Sequence, residues 1–464
     1  MDERHNLPLI VAIVCVATIG GFMFGYDSGV VNGTQDGLRE AFALTEAGLG
    51  VTVSALLPGC ALGAYLAGRS ADRWGRRRVM LVAAVLFIVS ALASGAAVSA
   101  VMMVVARFAA GAAVGAASVL SPAYISEVTP ARLRGRLSSI QQIMIIAGLT
   151  GAFLANYLLA RHAGSSLEPL WLGYPAWRWM YWAQMLPALL FLATLLFIPE
   201  SPRYLVASGR DAEAAAVLAR LFGPVAAAAR LPEIRRSLHG QHGPSARDLM
   251  DPASGRLRRI VWVGIGLATF QQLVGINVVF YYGAALWQAV GFSEADALKI
   301  NVLSGAVSLV ACFVATGLVD HIGRKPLLLV GSIGMSVTLA ILAVSFASGT
   351  FVDGALELSP TQGVVALYSA NLYVVFFNVS WGPVMWVMLG EMFPNAIRGS
   401  ALAVSGAAQW SANFAISLSF PLLARFLGLP TTYGLYTFFA VLSVVFVWRA
   451  VRETRGVELE HMAG

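Results

Sequence analysis

Runs of roughly twenty apolar residues recur along this chain from end to end, the length a helix needs to cross a hydrocarbon layer about 30 Å thick. That recurrence leaves one fold class, an all-α membrane protein with many spans. Composition agrees: 58% of residues are hydrophobic and 12% charged, with mean hydropathy +0.74, where a soluble chain would be about a quarter charged. Twelve spans are read, at 8–31, 48–68, 79–98, 101–124, 139–160, 179–198, 260–290, 298–319, 327–348, 364–390, 399–427 and 433–451.

An even number of spans puts both termini on one side. With the termini inside, and the long loop 199–259 left aside, the inner segments hold fifteen Lys and Arg against six elsewhere. Basic residues collect on the cytoplasmic side, so both termini are expected in the cytoplasm of a plasma (inner) membrane. The same rule accounts for the net charge of +7 without a nucleic-acid partner. Cys15, Cys60 and Cys312 fall in apolar runs and read as small core residues. The six histidines lie outside the spans or at their edges, which speaks against a metal or histidine-based enzyme in the membrane. The N-terminal run is too long for a cleaved signal, and no A-x-A-like site follows it. In the long loop, "DAEAAAVLARLFG" (211–223) has the pattern of a surface helix closed by Gly223-Pro224.

The chain repeats itself. "DRWGRRR" (72–78) and "DHIGRKP" (320–326) share D-x-x-G-R-[RK] at an offset of 248, and "EVTPARLRG" (127–135) and "EMFPNAIRG" (391–399) share E-x-x-P-x-x-x-R-G at an offset of 264. "PESPR" (199–203) and "RETRG" (452–456) form a weaker third pair. Each pair follows the corresponding span of two six-span halves, 1–198 and 260–451, joined by the linker 199–259 and followed by a tail, 452–464. Carriers built from such parallel repeats hold their substrate near the midplane, between the halves. The charges in these motifs, Asp72, Arg76, Glu127, Arg134, Glu200, Arg203, Asp320, Arg324, Glu391 and Arg398, are candidates for a cytoplasmic gate that latches the halves. Asp72 with Arg76, Glu127 with Arg134 and Asp320 with Arg324 are acid and base a turn or two apart, and partners on neighbouring helices are equally open.

Several motifs carry a resemblance to a known family. The D-x-x-G-R-[RK] loops resemble those of the major facilitator superfamily. "PESPRYL" (199–205), "QQLVGINVVFYY" (271–282), "RFAAG" (107–111), "SPAYISE" (121–127) and "WGPVMWVMLGEMFPNAIRG" (381–399) resemble its sugar porter family, in order and over nearly the whole chain. The flavour is that of bacterial monosaccharide–proton symporters. The resemblance implies the twelve-helix fold of that superfamily, short cytoplasmic helices, a monosaccharide and a proton as partners, no cofactor, and a monomer in the bilayer.

Within that frame stands an anomaly, Asp27 in "GFMFGYDSGV" (21–30). A carboxylate at mid-membrane costs about 2.5–3.5 kcal/mol on insertion scales and marks function. Counting 1.5 Å per residue from the span ends puts Asp27 roughly 6 Å, and Arg107 of span four roughly 9 Å, inside the same face. The two are expected to pair. A carboxyl held between burial and a close arginine can bind and release a proton as helices move. The resemblance puts an acid at the Asp27 position in proton-coupled members and asparagine in animal-type facilitators, so Asp27 and Arg107 are the coupling candidates. A uniporter using them as a structural pair is the alternative.

For a sugar, neutral amides supply donors and acceptors and an aromatic face covers the ring. Gln271, Gln272 and Asn277 do not share a stripe on a straight helix, so a break near Gly275 is expected to turn all three to one cavity. Gln409 and Asn413 share a face with Trp410 beside them, and Gln142 and Asn301 add amides from spans five and eight. The resemblance carries substrate contacts onto Gln142, Gln271, Gln272, Asn277, Asn301, Trp386 and Gln409, with Phe24, Tyr281 and Trp410 as aromatic wall. Pro383 should kink span ten and lets Trp386 act as a gate. Xylose-selective relatives resemble this chain at Gln142 but have a further glutamine where Leu149 stands, which leans toward a hexose, or a broad hexose and pentose range. A signalling receptor would need a longer tail, an enzyme a reactive cluster, and a channel no paired halves; a drug exporter fits poorly with the amides.

Overall fold

The computed structural model describes residues 6–239, 249–251, 255–352, 355–394 and 397–455. The side chains of 131–139 and of 320 are also outside the described residues, so nothing is said of the gate candidates Arg134 and Asp320 beyond their sequence. Among the described residues, ten helices are long and apolar enough to cross a membrane: Leu7–Gly33, Glu46–Trp74, Arg76–Gly95, Ala100–Val128, Ile140–Ala163, Arg259–Ala289, Glu294–Val319, Arg324–Ala347, Pro360–Met392 and Gly428–Ala450. Two more helical stretches complete the twelve spans. The sixth is divided at Gln184 into Ala176–Ala183 and Met185–Leu195, and the eleventh, Arg398–Phe426, is less apolar because it carries Gln409, Asn413 and several serines. One departure from an all-helical chain is a small antiparallel hairpin between spans nine and ten, Thr350–Val352 paired with Ala355–Glu357.

Polarity is turned outside in. Along Arg76–Gly95 the residues Val82, Val85, Val89 and Leu92 are exposed, and along Arg324–Ala347 so are Val330, Ile333, Val337, Ile341 and Val344. Their three- and four-residue spacing is one helix face, the face that lipid covers. Ser90 and Ser94, or Ser332 and Thr338, are the buried side of the same helices. Cys15 is exposed, so it belongs to such an outer face and not to the core expected for it; Cys60 and Cys312 are buried.

The chain packs as two compact units, and these do not follow the repeat. The first is Met1–Asp27, Pro58–Ala152 and Arg178–Gly243; the second is Ser28–Leu57, Phe153–Trp177 and Pro244–Gly464. Segments of the N-terminal repeat join the second unit because side chains tie them there. Asn156 joins two of these segments, donating to the carbonyls of Gly29 and Val30 at 3.3 and 3.1 Å, and Glu294 of the C-terminal repeat accepts from the Ser166 N–H at 2.9 Å.

Within the first unit, spans two and four cross at backbone contact. Each carries small residues four apart, Gly59 and Gly63 on one and Gly111 and Gly115 on the other. A Cβ at Gly63 would stand 2.1 Å from the Ala112 carbonyl oxygen, and one at Gly115 2.0 Å from that of Cys60. Without a hydrophobic drive between helices in lipid, this close packing is what holds them. The long loop up to Gly243 also belongs to this unit. Its helices Pro202–Ala207, Asp211–Phe222 and Pro224–His239 enclose Leu205, Val206 and Ala214 under Val217, Leu231 and Ile234. The expected helix ends at Phe222, with Gly223 at φ +85°.

Gly63→Leu is therefore expected to cost about 1–3 kcal/mol by overpacking. The apparent melting temperature of the purified protein should fall by several degrees. Gly68→Leu, five residues on, where an added Cβ would meet nothing within 4 Å, should leave it in place.

Candidate functional site

In the first unit, Arg107 Nη1 meets Asp27 Oδ1 at 2.7 Å, with both side chains almost wholly buried. The same nitrogen reaches the Asp27 carbonyl oxygen at 3.3 Å, and the guanidinium lies 6.0 Å from the Tyr181 ring centroid. Gln184, at the division of span six, sits beside the carboxylate, yet its Nε2 and the Asp27 Oδ2 make no hydrogen bond of good geometry. One carboxylate oxygen is thus ion-paired, and the other has no hydrogen bond of good geometry among the described residues. The residue count from the span ends brought Asp27 and Arg107 together; it did not find Gln184, which stands at the interruption of span six. Gln142 and Phe24 also belong to this unit and are half-buried.

In the second unit, span seven breaks where the amides required it. Helix Arg259–Leu273 stops, Gly275 takes the left-handed conformation at φ +83°, and helix Ile276–Ala289 restarts. The aromatic ring of Tyr436 packs so closely that a Cβ on Gly275 would lie 2.7 Å from it. The break joins the amides in one chain. Asn277 Nδ2 donates to Gln272 Oε1 at 2.5 Å, and Gln272 Nε2 to Gln271 Oε1 at 3.0 Å. Gln409 Nε2 from span eleven donates to the same oxygen at 2.9 Å. Gln271 Nε2 anchors the chain on the carbonyls of Trp381 and Gly382 at 3.0 and 3.4 Å. Those carbonyls follow a second break, at Ser380 in span ten. Pro383 explains it, since its ring clashes with the carbonyl four residues back and the first helix ends there, at Val379. Gln409 Oε1 has no hydrogen-bond partner among the described residues. Trp386 is exposed and Trp410 half-buried, while Tyr281 is buried.

Asn301 is not part of that chain. Its Nδ2 donates to Asn32 Oδ1 at 2.8 Å. Asn32 and Gln35, whose Nε2 donates to the Tyr281 carbonyl at 2.5 Å, were passed over because "VNGTQ" reads as the polar turn after span one.

The motif charges assemble twice. In the first unit Arg76 pairs with Asp72 and Glu127, each at 3.2 Å, and Ser201 Oγ donates to Glu127 at 2.5 Å. Glu200 Oε1 accepts the N–H groups of Arg76, Arg77 and Ser201 at 2.9, 3.2 and 2.8 Å, capping the helix that Gly75 opens. Arg203 faces Glu127 electrostatically. In the second unit Arg324 is bidentate to Glu391 at 2.8 and 3.0 Å, and Thr454 Oγ1 donates to Glu391 at 2.6 Å. Glu453 accepts the N–H groups of Arg324, Lys325, Thr454 and Arg455, each at 3.0 Å. Arg398 caps its own turn, donating to the Phe393 carbonyl at 3.2 Å. The bonds described for the latch candidates therefore close within one unit each; among the described residues Glu127 meets Arg76, an acid and a base brought together by packing, while the pairing of Glu127 with Arg134 lies outside the described residues.

A family profile described as "Sugar (and other) transporter" matches residues 13–464. The chain belongs to this sugar transporter family. It is a transporter and not an enzyme. The chain is 47% identical over 462 residues to the "Glucose transport protein" of Synechocystis sp. (strain ATCC 27184 / PCC 6803 / Kazusa), covering 99% of this chain and 98% of that one. It is 36% identical over 494 residues to the "D-xylose-proton symporter" of Escherichia coli (strain K12), covering 100% of this chain and 96% of that one. The xylose transporter XylE from E. coli, in a partially occluded inward open conformation, superposes with a TM-score of 0.83 at 35% identity, covering 97% of this chain and 100% of XylE.

Leu149 is buried in the first unit. The second-unit cap of this transporter has a measurable pH signature. Burial acts to raise the Glu453 pKa, but the four backbone N–H donors outweigh it and hold the carboxyl below its usual value. Its stabilisation is complete above the unfolded value of about 4.3 and is lost as pH falls through the lower folded value. Glu453→Gln should therefore melt below the wild type at pH 7, with the gap closing toward pH 3.

Proposed function

We propose that this chain takes up a monosaccharide, a hexose such as glucose with xylose also accepted, together with a proton, by alternating access. On this reading it works as a monomer in the plasma (inner) membrane with both termini cytoplasmic, and has no nucleic-acid partner. The observation that carries the proposal is the Asp27–Arg107 pair: a fully buried carboxylate with one oxygen on a single arginine and the other without a hydrogen bond of good geometry among the described residues. A proton arriving at Oδ2 neutralises the acid and weakens the hold on Arg107, so span one is freed from span four. Loss of the proton restores the pair. Gln184 stands beside the carboxylate with an amide able to donate to either form.

The sugar is assigned to Gln271, Gln272, Asn277 and Gln409, with Trp386, Trp410 and Tyr281 from the second unit and Gln142 and Phe24 from the first. What supports this is the joined amide chain and Gln409 Oε1, an acceptor suited to a sugar hydroxyl and without a hydrogen-bond partner among the described residues. The hexose preference rests on Leu149 and on the glucose-transporting relative. The charged clusters are assigned to the cytoplasmic gate as braces inside each unit.

The test is uptake of labelled glucose and xylose in energised vesicles, with external pH recorded. The expected result is sugar-induced alkalinisation, and accumulation of the order of fifty-fold, since one charge through about 100 mV is worth about 2.3 kcal/mol. Asp27→Asn should abolish accumulation and keep exchange. A wild type that only equilibrates sugar without a pH change would make the protein a uniporter and the pair structural. In the same vesicles Gln409→Ala should raise the half-saturating sugar concentration about tenfold, the value of one lost hydrogen bond.

A further inference from the structure

Asn32 lies on the short 3-10 turn Val31–Gly33 that extends span one, five residues beyond Asp27, and is 1% exposed. Its carboxamide is fully engaged with the half-helix Ile276–Ala289. Nδ2 donates to the Phe280 carbonyl at 2.8 Å, and Oδ1 accepts from the Ala284 N–H at 2.9 Å. Phe280 and Ala284 are four residues apart, the pair whose carbonyl and N–H an α-helix bonds to each other. The side-chain amide therefore bridges one turn of helix backbone as a second peptide unit would. Gly283 makes room for it. A Cβ there would stand 3.1 Å from Asn32 Nδ2 and 2.4 Å from Asn301 Oδ1. Asn301 completes the arrangement by donating to Asn32 Oδ1.

The same half-helix is held twice more from the same stretch of chain. Gln35 Nε2 donates to the Tyr281 carbonyl, and Gln288 Nε2 donates to Asp36 Oδ2 at 3.0 Å. Its other end is the break at Gly275, where Tyr373 donates its hydroxyl to the Val274 carbonyl at 2.8 Å. A rod pivoting at Gly275 would have to release the amides at 280–288 first.

We propose that Asn32 is a positioning residue that clasps the outer half of span seven through its backbone, and that Asn301 serves this clasp. The consequence for transport rests on the sugar-carrier reading above: the clasp holds the side opposite the termini shut, and its release is part of opening that side. Recognition through backbone groups makes it indifferent to the side chains of Phe280 and Ala284 themselves. It depends instead on the length of residue 32 and the absence of a side chain at 283.

The test is amide hydrogen exchange on the purified full-length chain, without sugar. Asn32→Ala is expected to speed exchange about tenfold in 276–289, the effect of losing a backbone partner, and to leave 76–95 unchanged. Gly283→Ala should do the same from the opposite side. Asn301→Ala should reproduce part of the change and add nothing to Asn32→Ala. Faster exchange everywhere, no change in 276–289, or additivity of the two asparagine variants would overturn the proposal. In transport, Asn32→Ala should lower both the maximal uptake rate and the half-saturating sugar concentration by several-fold, as a population shifted toward the open outer side predicts. A fall in maximal rate alone is the mark of a structural residue and would also overturn it. The exchange readout needs no substrate, so a wild type that carries neither sugar defeats the functional reading and leaves the clasp to be judged on exchange.

Discussion

A hydrocarbon layer offers no water to a buried polar group, so each such group has to find its partner inside the protein. In this chain that requirement decides where helices touch. Asp27 is tolerable because Arg107 lies 2.7 Å away. Removing either member of a buried pair typically costs 3–5 kcal/mol, because the other is left uncompensated. Within the same unit, the glycine-lined crossing of spans two and four brings backbone against backbone, next to Cys60 and four to eight residues along span four from Arg107. The pair therefore lies on the same span four that makes this close crossing.

The two motif clusters show one solution reached twice. Gly75 and Gly323 both stand at positive φ and start a helix whose first N–H groups would otherwise lack partners. Glu200 and Glu453 accept those N–H groups, Ser201 and Thr454 turn to Glu127 and Glu391, and Arg76 and Arg324 meet the same two acids. A negative charge at a helix N-terminus is also favoured by the helix dipole. The similarity of "PESPR" to "RETRG" is slight in letters because only the E-[ST] step is needed for this geometry; the residues around it are free to differ.

The spans were legible because lipid demands long apolar runs and punishes exceptions, so the exceptions stand out. Asp27 and Arg107 could be paired by counting residues from the span ends, and the break at Gly275 followed from three amides that no straight helix could align. The kink at Pro383 was legible too, although the interruption falls at Ser380, where the proline ring acts. Asn32 was not legible, since an amide in "NGTQ" looks like any polar turn and its partners are backbone atoms 248 and 252 residues away, which carry no side-chain signal. Gln184 was hidden for a similar reason. A lone amide in an aromatic-rich span has no pattern, and its meaning comes only from standing beside Asp27. The compact units escaped the repeat for the same cause, because hydrogen bonds to backbone drew the ends of N-terminal spans into the second unit.

These hidden contacts bear on how a proton could act at a distance. Asp27 and Asn32 lie five residues apart on one helical stretch, about 8–10 Å along it, since its last turn is a tighter 3-10 turn. The first ends a helix segment bound to span four by an ion pair, and the second begins the segment bound to the half-helix after Gly275. A helix transmits displacement along its axis with little loss, because its backbone bonds are all internal. On the symporter reading, release of Arg107 by a proton therefore loosens the same rod whose next turn carries the clasp. No chain of intermediate side chains is required between the coupling acid and the seventh span, only that these few residues stay helical while one end is set free.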